Sequence, residues 1–202
     1  MIKAVLFDLD GVLVEMPDAH YEALNKALGV FGVVIGRTEH EQFFNGIPTK
    51  KKLEILEGKG RLPEGISSLV STLKQGFTKT LIPKYCVPEY SKLIMLKELK
   101  NKNIKLACCS NSTRETMTLM LLSAQLENFF DFTIGNDEVA RPKPDPEMFL
   151  KAFERLSLKP DEVLIVEDSV HGIAAAEASG ACVVKVKNSF DVNWSLLETY
   201  FK

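Results

Sequence analysis

The stretch Ala4-Val5-Leu6-Phe7-Asp8-Leu9-Asp10-Gly11 sets the terms for the whole chain. Its first four residues are apolar with no polar alternation, the pattern of a short strand buried on both faces of a parallel sheet. Two carboxylates follow at once, and then Asp-Gly, which taken alone reads as an ordinary turn. Segments 104–109, 132–134, 163–166 and 182–186 repeat the apolar half of this pattern. Amphipathic helical patterns separate them. In the clearest, residues 145–156, Met148, Phe149, Ala152, Phe153 and Leu156 share one stripe, with Asp145 placed to cap and Pro146 at the first helical position. Strands alternating with helices predict an α/β layered fold.

One region breaks the rhythm. Residues 15–85 hold helical patterns over 18–30, 50–57 and 67–81 and no buried strand, and the Gly-rich piece 29–36 reads as a helix end plus loop. The simplest account is a helical insertion between the first strand and the rest of the sheet.

The composition fits one folded domain carrying an insertion: 202 residues, 46% hydrophobic and 26% charged. With 25 Lys+Arg against 27 Asp+Glu, a net charge of −2, there is no cationic field to gather nucleic acid or anionic lipid. The apolar run after Lys3 is too short for a signal peptide or a membrane span, so a cytoplasmic protein is expected, a monomer or weak homodimer with no nucleic acid or membrane partner. Cys86, Cys108, Cys109 and Cys182 have neither disulfide nor zinc spacing and are expected to be small buried apolar residues.

In such sheets ligands bind beyond the carboxyl ends of the strands, so the residues that follow each apolar run matter most. They are Asp8 and Asp10 after the first, Ser110-Asn111-Ser112 after the second, and Glu167-Asp168-Ser169 after the fourth. Lys143, within Arg141-Pro142-Lys143-Pro144-Asp145-Pro146, joins them if its loop folds inward. Each piece has a plain explanation. Ser112 followed by Glu115 fits a capping box opening a helix over 113–122, Ser169 or Asp168 suits a cap at residue 170, and Lys143 suits a solvated loop.

The combination is harder to explain away. Carboxylates packed at the end of a buried sheet repel one another and lose hydration, so Asp8, Asp10, Glu167 and Asp168 need a cation or a proton. A hard ion with oxygen ligands, Mg²⁺, leaves coordination sites for phosphate and water. One carboxylate is then placed to attack phosphorus, with Mg²⁺ and Lys143 offsetting the meeting of two anions. Ser110 at a helix N-terminus suits a phosphate oxygen, and Asp10, two residues from the nucleophile, suits proton transfer to the leaving group and from water. The signatures of P-loops, dinucleotide sites, EF-hands, zincins and serine hydrolases are not matched.

These residues resemble the motifs of the haloacid dehalogenase-like superfamily of phosphotransferases. Phe7-Asp8-Leu9-Asp10-Gly11-Val12-Leu13-Val14 is similar to its first motif, Ser110-Asn111 to its second, Lys143 with its flanking prolines to its third, and Glu167-Asp168-Ser169 with Gly172 to its fourth. The resemblance implies a Rossmann-like parallel sheet core over 1–14 and 86–202 with an inserted all-helical cap over 15–85 that selects the substrate. It further implies Asp8 as nucleophile and Asp10 as acid/base. Ser110, its neighbour Asn111 and Lys143 would hold phosphate, and Asp8, the Asp10 carbonyl, Asp168 and, second in rank, Glu167 would hold Mg²⁺.

Within the cap, His20 and Lys74 resemble in position a His and a Lys of β-phosphoglucomutase-like members, and Lys50 heads the run Lys50-Lys51-Lys52. The family's usual Thr, Asp and Pro-Gly are here Val12, Glu15 and Pro88-Glu89. The function implied is a Mg²⁺-dependent phosphatase acting on a small phosphorylated metabolite. The alternatives are a sugar phosphomutase, using the same Asp8, and a non-catalytic binding protein for a phosphorylated metabolite.

Overall fold

The computed structural model describes residues 1–44 and 49–201. Strand β1 (Ala4–Phe7) leads through a tight loop into a helical stretch: α1 (Pro17–Gly29), a short turn α2 (Arg37–Glu39) continued by a π-helical segment (His40–Phe44), α3 (Thr49–Gly58) and α4 (Ser67–Tyr85). After α5 (Tyr90–Asn101), strands and helices alternate as β2 (Lys105–Cys109), α6 (Arg114–Ser123), β3 (Phe132–Ile134), α7 (Glu147–Leu156), β4 (Val163–Glu167), α8 (Val170–Ala178) and β5 (Cys182–Lys185), before α9 (Trp194–Leu197). Helical structure over 37–44 is the piece that the sequence pattern does not reveal, because it is too short to show a period.

The five strands among the described residues are all parallel, in the order β3-β2-β1-β4-β5. β1 is central, with Leu6 opposite Ala107 of β2 and Ile165 of β4. Leu6, Ala107 and Ile165 are buried in one cluster with Met148, Phe149 and Ala152 of α7, the apolar stripe read from the sequence. Val5, Phe7 and Cys108, which point to the opposite face by strand alternation, are equally inaccessible. Cover on both faces explains the unbroken apolar runs Ala4–Phe7, 106–109 and 163–166 within these strands.

The chain divides into two compact units, Met1–Met16 with Pro83–Lys202, and Pro17–Ile82. The described residues of the second form helices and no strand, and they have their own core, in which Leu24, Leu28, Ile35, Phe44, Leu53 and Leu56 meet. The Asn25 side-chain amide holds its loop by accepting from Ile35 N–H at 2.8 Å and donating to Ile35 O at 3.0 Å. The later boundary falls at Pro83, inside α4, where the ring removes one helical N–H donor.

Three local expectations shift. Thr113, not Ser112, caps α6: its hydroxyl accepts Thr116 N–H, while Ser112 N–H is donated to Ser110 Oγ at 3.2 Å. The cap of α7 sits one residue later than expected, at Pro146, with Asp145 accepting Glu147 N–H at 3.0 Å. Cys86, Cys108 and Cys109 are buried, but Cys182 is exposed, at the start of β5, an edge strand of the sheet. Ser169 caps α8 as expected, accepting Gly172 N–H at 3.0 Å. At the end of the chain the Trp194 and Phe201 rings stack with centroids 6.3 Å apart. Among the described residues no helix is long and apolar enough to cross a membrane.

Because Phe149 fills the layer between α7 and the sheet with no exposed surface, Phe149→Ala leaves a cavity at the centre of the core unit. We expect a loss of about 3–5 kcal/mol in unfolding free energy, measured by urea titration.

Candidate active site

Each inner strand hands over to a candidate site residue at its carboxyl end. Asp8 follows Phe7, and its N–H donates to Val166 O at 3.0 Å, which continues the β1–β4 ladder by one residue. Ser110 follows Cys109 and donates its N–H to Ile134 O at 3.1 Å. Strand β4 ends on Glu167, with Asp168 next. The Lys143 loop does fold inward: the ammonium donates to Asp8 Oδ1 at 2.7 Å, to Cys109 O at 2.8 Å and to Glu167 Oε1. All three N–H donors are thereby used on groups from three adjacent strands.

Charge is unbalanced here. Carboxylate oxygens of Asp8, Glu167 and Asp168 lie within 4.8 Å of one another, against one ammonium. Burial opposes the charge on Lys143, but the adjacent Asp8 and Glu167 overcome it and hold the ammonium protonated beyond the ordinary lysine range. Asp8 is pushed well above the usual carboxylate range by burial, which Lys143 opposes and Glu167 reinforces. Burial, then Glu167 and Asp10, raise Asp168 to about 6. Asp168 Oδ1 is also buried, with no hydrogen-bond partner among the described residues. An all-oxygen donor set, an excess of negative charge and an orphaned carboxylate oxygen together fit a hard divalent cation.

Glu167 differs from its neighbours in being saturated. Its Oε2 accepts from Asp168 N–H at 3.1 Å and from the N–H and Oγ–H of Ser169, both at 3.3 Å, while Oε1 takes Lys143. Two glycines make room for the acids. Gly11 has φ +85°, and a Cβ there would overlap the Asp168 carboxylate; a Cβ on Gly172 would overlap the Glu167 carboxylate.

The other expected residues take distinct places. Asp10 turns its carboxylate to Met16 N–H, which donates to Oδ1 at 3.0 Å. Asn111 uses its side-chain amide on the Lys143 backbone, donating to its carbonyl and accepting its N–H, both at 3.0 Å. Ser110 is buried and follows the carbonyl that receives Lys143. In the helical unit Lys74 Nζ lies 3.3 Å from His20 Nδ1, and Lys50 is exposed on α3.

One residue that sequence reasoning passes over is Glu147. Its carboxylate accepts Ala140 N–H at 2.9 Å and Arg141 N–H at 3.0 Å and pairs with Lys151 at 2.9 Å, which fixes the backbone leading to Lys143. The signal is there as a Glu in the first turn of a helix with Lys four residues on.

A parallel sheet with paired acids after its first strand, Ser after its second, and a lysine joining the first strand to an acidic fourth strand describes a class of hydrolase. The chain belongs to it: the model of the haloacid dehalogenase-like hydrolase family matches residues 5–186. A phosphorylated carbohydrates phosphatase of Thermotoga maritima is 31% identical over 183 residues, covering 89% of this chain and 82% of that protein. A phosphoglycolate phosphatase of Nitrosospira multiformis is 30% identical over 196 residues, covering 94% and 85%. Among solved structures, a putative beta-phosphoglucomutase from Thermotoga maritima superposes with TM-score 0.78 at 28% identity, covering 98% of this chain and 91% of that one.

Lys151, then the Ala140 N–H, hold the Glu147 carboxyl down to about 2, against an ordinary value of 4.5. A depressed folded-state value contributes stability above the unfolded value that is lost as pH falls through the folded one. The difference in Tm between wild type and Glu147→Gln should therefore be largest above about pH 5 and close as pH falls toward 2, as calorimetry across that range would show.

Proposed function

We propose that the protein is a Mg²⁺-dependent phosphatase that hydrolyses a small phosphorylated metabolite through an aspartyl-phosphate on Asp8. The observation that carries this reading is the excess of carboxylate around one buried ammonium at the carboxyl ends of β1 and β4, with Asp168 Oδ1 lacking any donor among the described residues. Asp8, Asp168 and the main-chain carbonyl of Asp10 would hold the cation, and Glu167, saturated by its own loop and by Lys143, would fix the geometry around it. When bound, Mg²⁺ supplies positive charge that offsets the phosphoryl oxygens and keeps the acids ionised.

The chain's own groups perform the rest. Asp8 attacks phosphorus with one carboxylate oxygen, and Asp10 gives its proton to the departing ester oxygen. In the second half Asp10 takes a proton from the water that cleaves the acyl phosphate, so neither group is consumed. Lys143 donates to Asp8 and presents its charge where negative charge gathers. Ser110 Oγ and the Asn111 main-chain N–H bind phosphoryl oxygens, while the Asn111 side chain keeps Lys143 in register. The helical unit, with His20, Lys74 and Lys50, is assigned the choice of substrate. Relatives named as phosphatases support the reading.

A second reading, a sugar phosphomutase, draws on the approach of Lys74 to His20 within the helical unit. The two part on products: a mutase requires a bisphosphate activator and releases little inorganic phosphate.

Asp8→Asn should abolish phosphate release, with the circular dichroism spectrum unchanged. Asp10→Asn should slow alkyl phosphates by roughly 10²–10⁴-fold and 4-nitrophenyl phosphate far less, because a good leaving group needs no proton. Equal losses on both substrates would remove the proton-donor role. EDTA should silence turnover and added Mg²⁺ restore it; activity untouched by chelation would exclude the metal.

A further inference from the structure

The core unit buries a second lysine, which the site does not use. Lys92 of α5 is 1% exposed, an expensive place for an ammonium unless its donors are met. They are met by the carbonyls of Ser189 and, at 2.8 Å, Val192, with Glu89 Oε2 at 3.5 Å. Ser189 is itself inaccessible, and both its N–H, at 3.1 Å, and its Oγ–H, at 2.9 Å, donate to Glu15 Oε2. Lys92 thus grips the loop after β5, and that loop grips Glu15.

Glu15 is next in sequence to Met16, whose N–H donates to Asp10 Oδ1. The chain between them is closed on itself: Gly11 N–H donates to Val14 O at 2.8 Å, and the N–H groups of Leu13 and Val14 donate to Leu9 O at 2.9 and 3.0 Å. With 9–14 locked, the orientation of the Glu15–Met16 peptide sets where the Met16 amide meets Asp10. A buried ionic network adds little net stability over apolar packing, but it fixes orientation.

We propose that Glu15 and Ser189, seated by Lys92, are positioning residues that aim the Asp10 carboxyl through the Met16 amide. The inference rests on the reading of Asp10 as the proton donor. It makes Glu15 part of the supporting structure of the reaction, though it touches no reacting atom.

The decisive variant is Glu15→Ala, at a half-exposed position, with Glu15→Gln as the conservative control that retains an acceptor. Glu15→Ala should lower kcat on an alkyl phosphate about tenfold, leaving KM and 4-nitrophenyl phosphate turnover within about twofold, and Glu15→Gln should recover most of the loss. In an Asp10→Asn background Glu15→Ala should bring no further loss. Exchange of the Met16 amide, followed by NMR, should quicken about tenfold in Glu15→Ala and in Ser189→Ala while Leu6 keeps its protection. Equal losses on the two substrates, or Met16 exchange that does not change, overturns the proposal. If the wild-type protein turns over neither substrate the phosphatase reading falls, and Met16 exchange alone decides whether the network holds the Asp10 partner.

Discussion

The ammonium of Lys143 is the interaction on which the core unit's site depends. It joins the carboxylate that follows β1, a carbonyl of β2 and a carboxylate of β4, so the ends of three neighbouring strands converge on one positive charge. Without it, Asp8 and Glu167 would be two acids buried side by side, a state that burial and mutual repulsion both oppose. With it, negative charge still exceeds positive, and Asp168 keeps a carboxylate oxygen with no donor among the described residues. That residual demand sets the cluster apart from an ordinary internal ion pair.

Much of the surrounding structure serves to bring a lysine from a loop to that spot. Asn111 clamps the Lys143 backbone from both sides, Glu147 ties down residues 140 and 141, and the Phe149 ring lies 5.0 Å from the ammonium. Gly11 and Gly172 contribute by lacking a side chain, since a methyl group at either would occupy the space of an acid. The second buried lysine follows the same logic. Lys92 gathers backbone carbonyls and, through Ser189 and Glu15, constrains the segment that leaves the loop after β1.

The strands are legible because a sheet covered on both faces needs apolar residues at consecutive positions, and the acids stand out because they follow those runs directly. Caps are less legible. Ser112 and Thr113 are adjacent and chemically alike, and the choice between them is made by Ser110 Oγ, which takes the Ser112 N–H. Asn111 has a use that the sequence does not show for a related reason: its side chain is spent on the Lys143 backbone, 32 positions away in sequence. Glu15 reads as the start of the insertion, yet its carboxylate answers to Ser189, 174 residues on.

The sequence by itself determined the parallel α/β architecture, the helical insertion and the residue types at each strand end, since these follow from hydrophobic period, turn chemistry and order along the chain. Tertiary structure alone decided which acid is saturated and which is left wanting, that Lys143 points inward, and that Lys92, Ser189 and Glu15 form one chain of contacts. Periodicity records which face of an element is buried, whereas these outcomes depend on distances between atoms far apart in sequence, and a few tenths of an ångström separate a hydrogen bond from an orphaned oxygen.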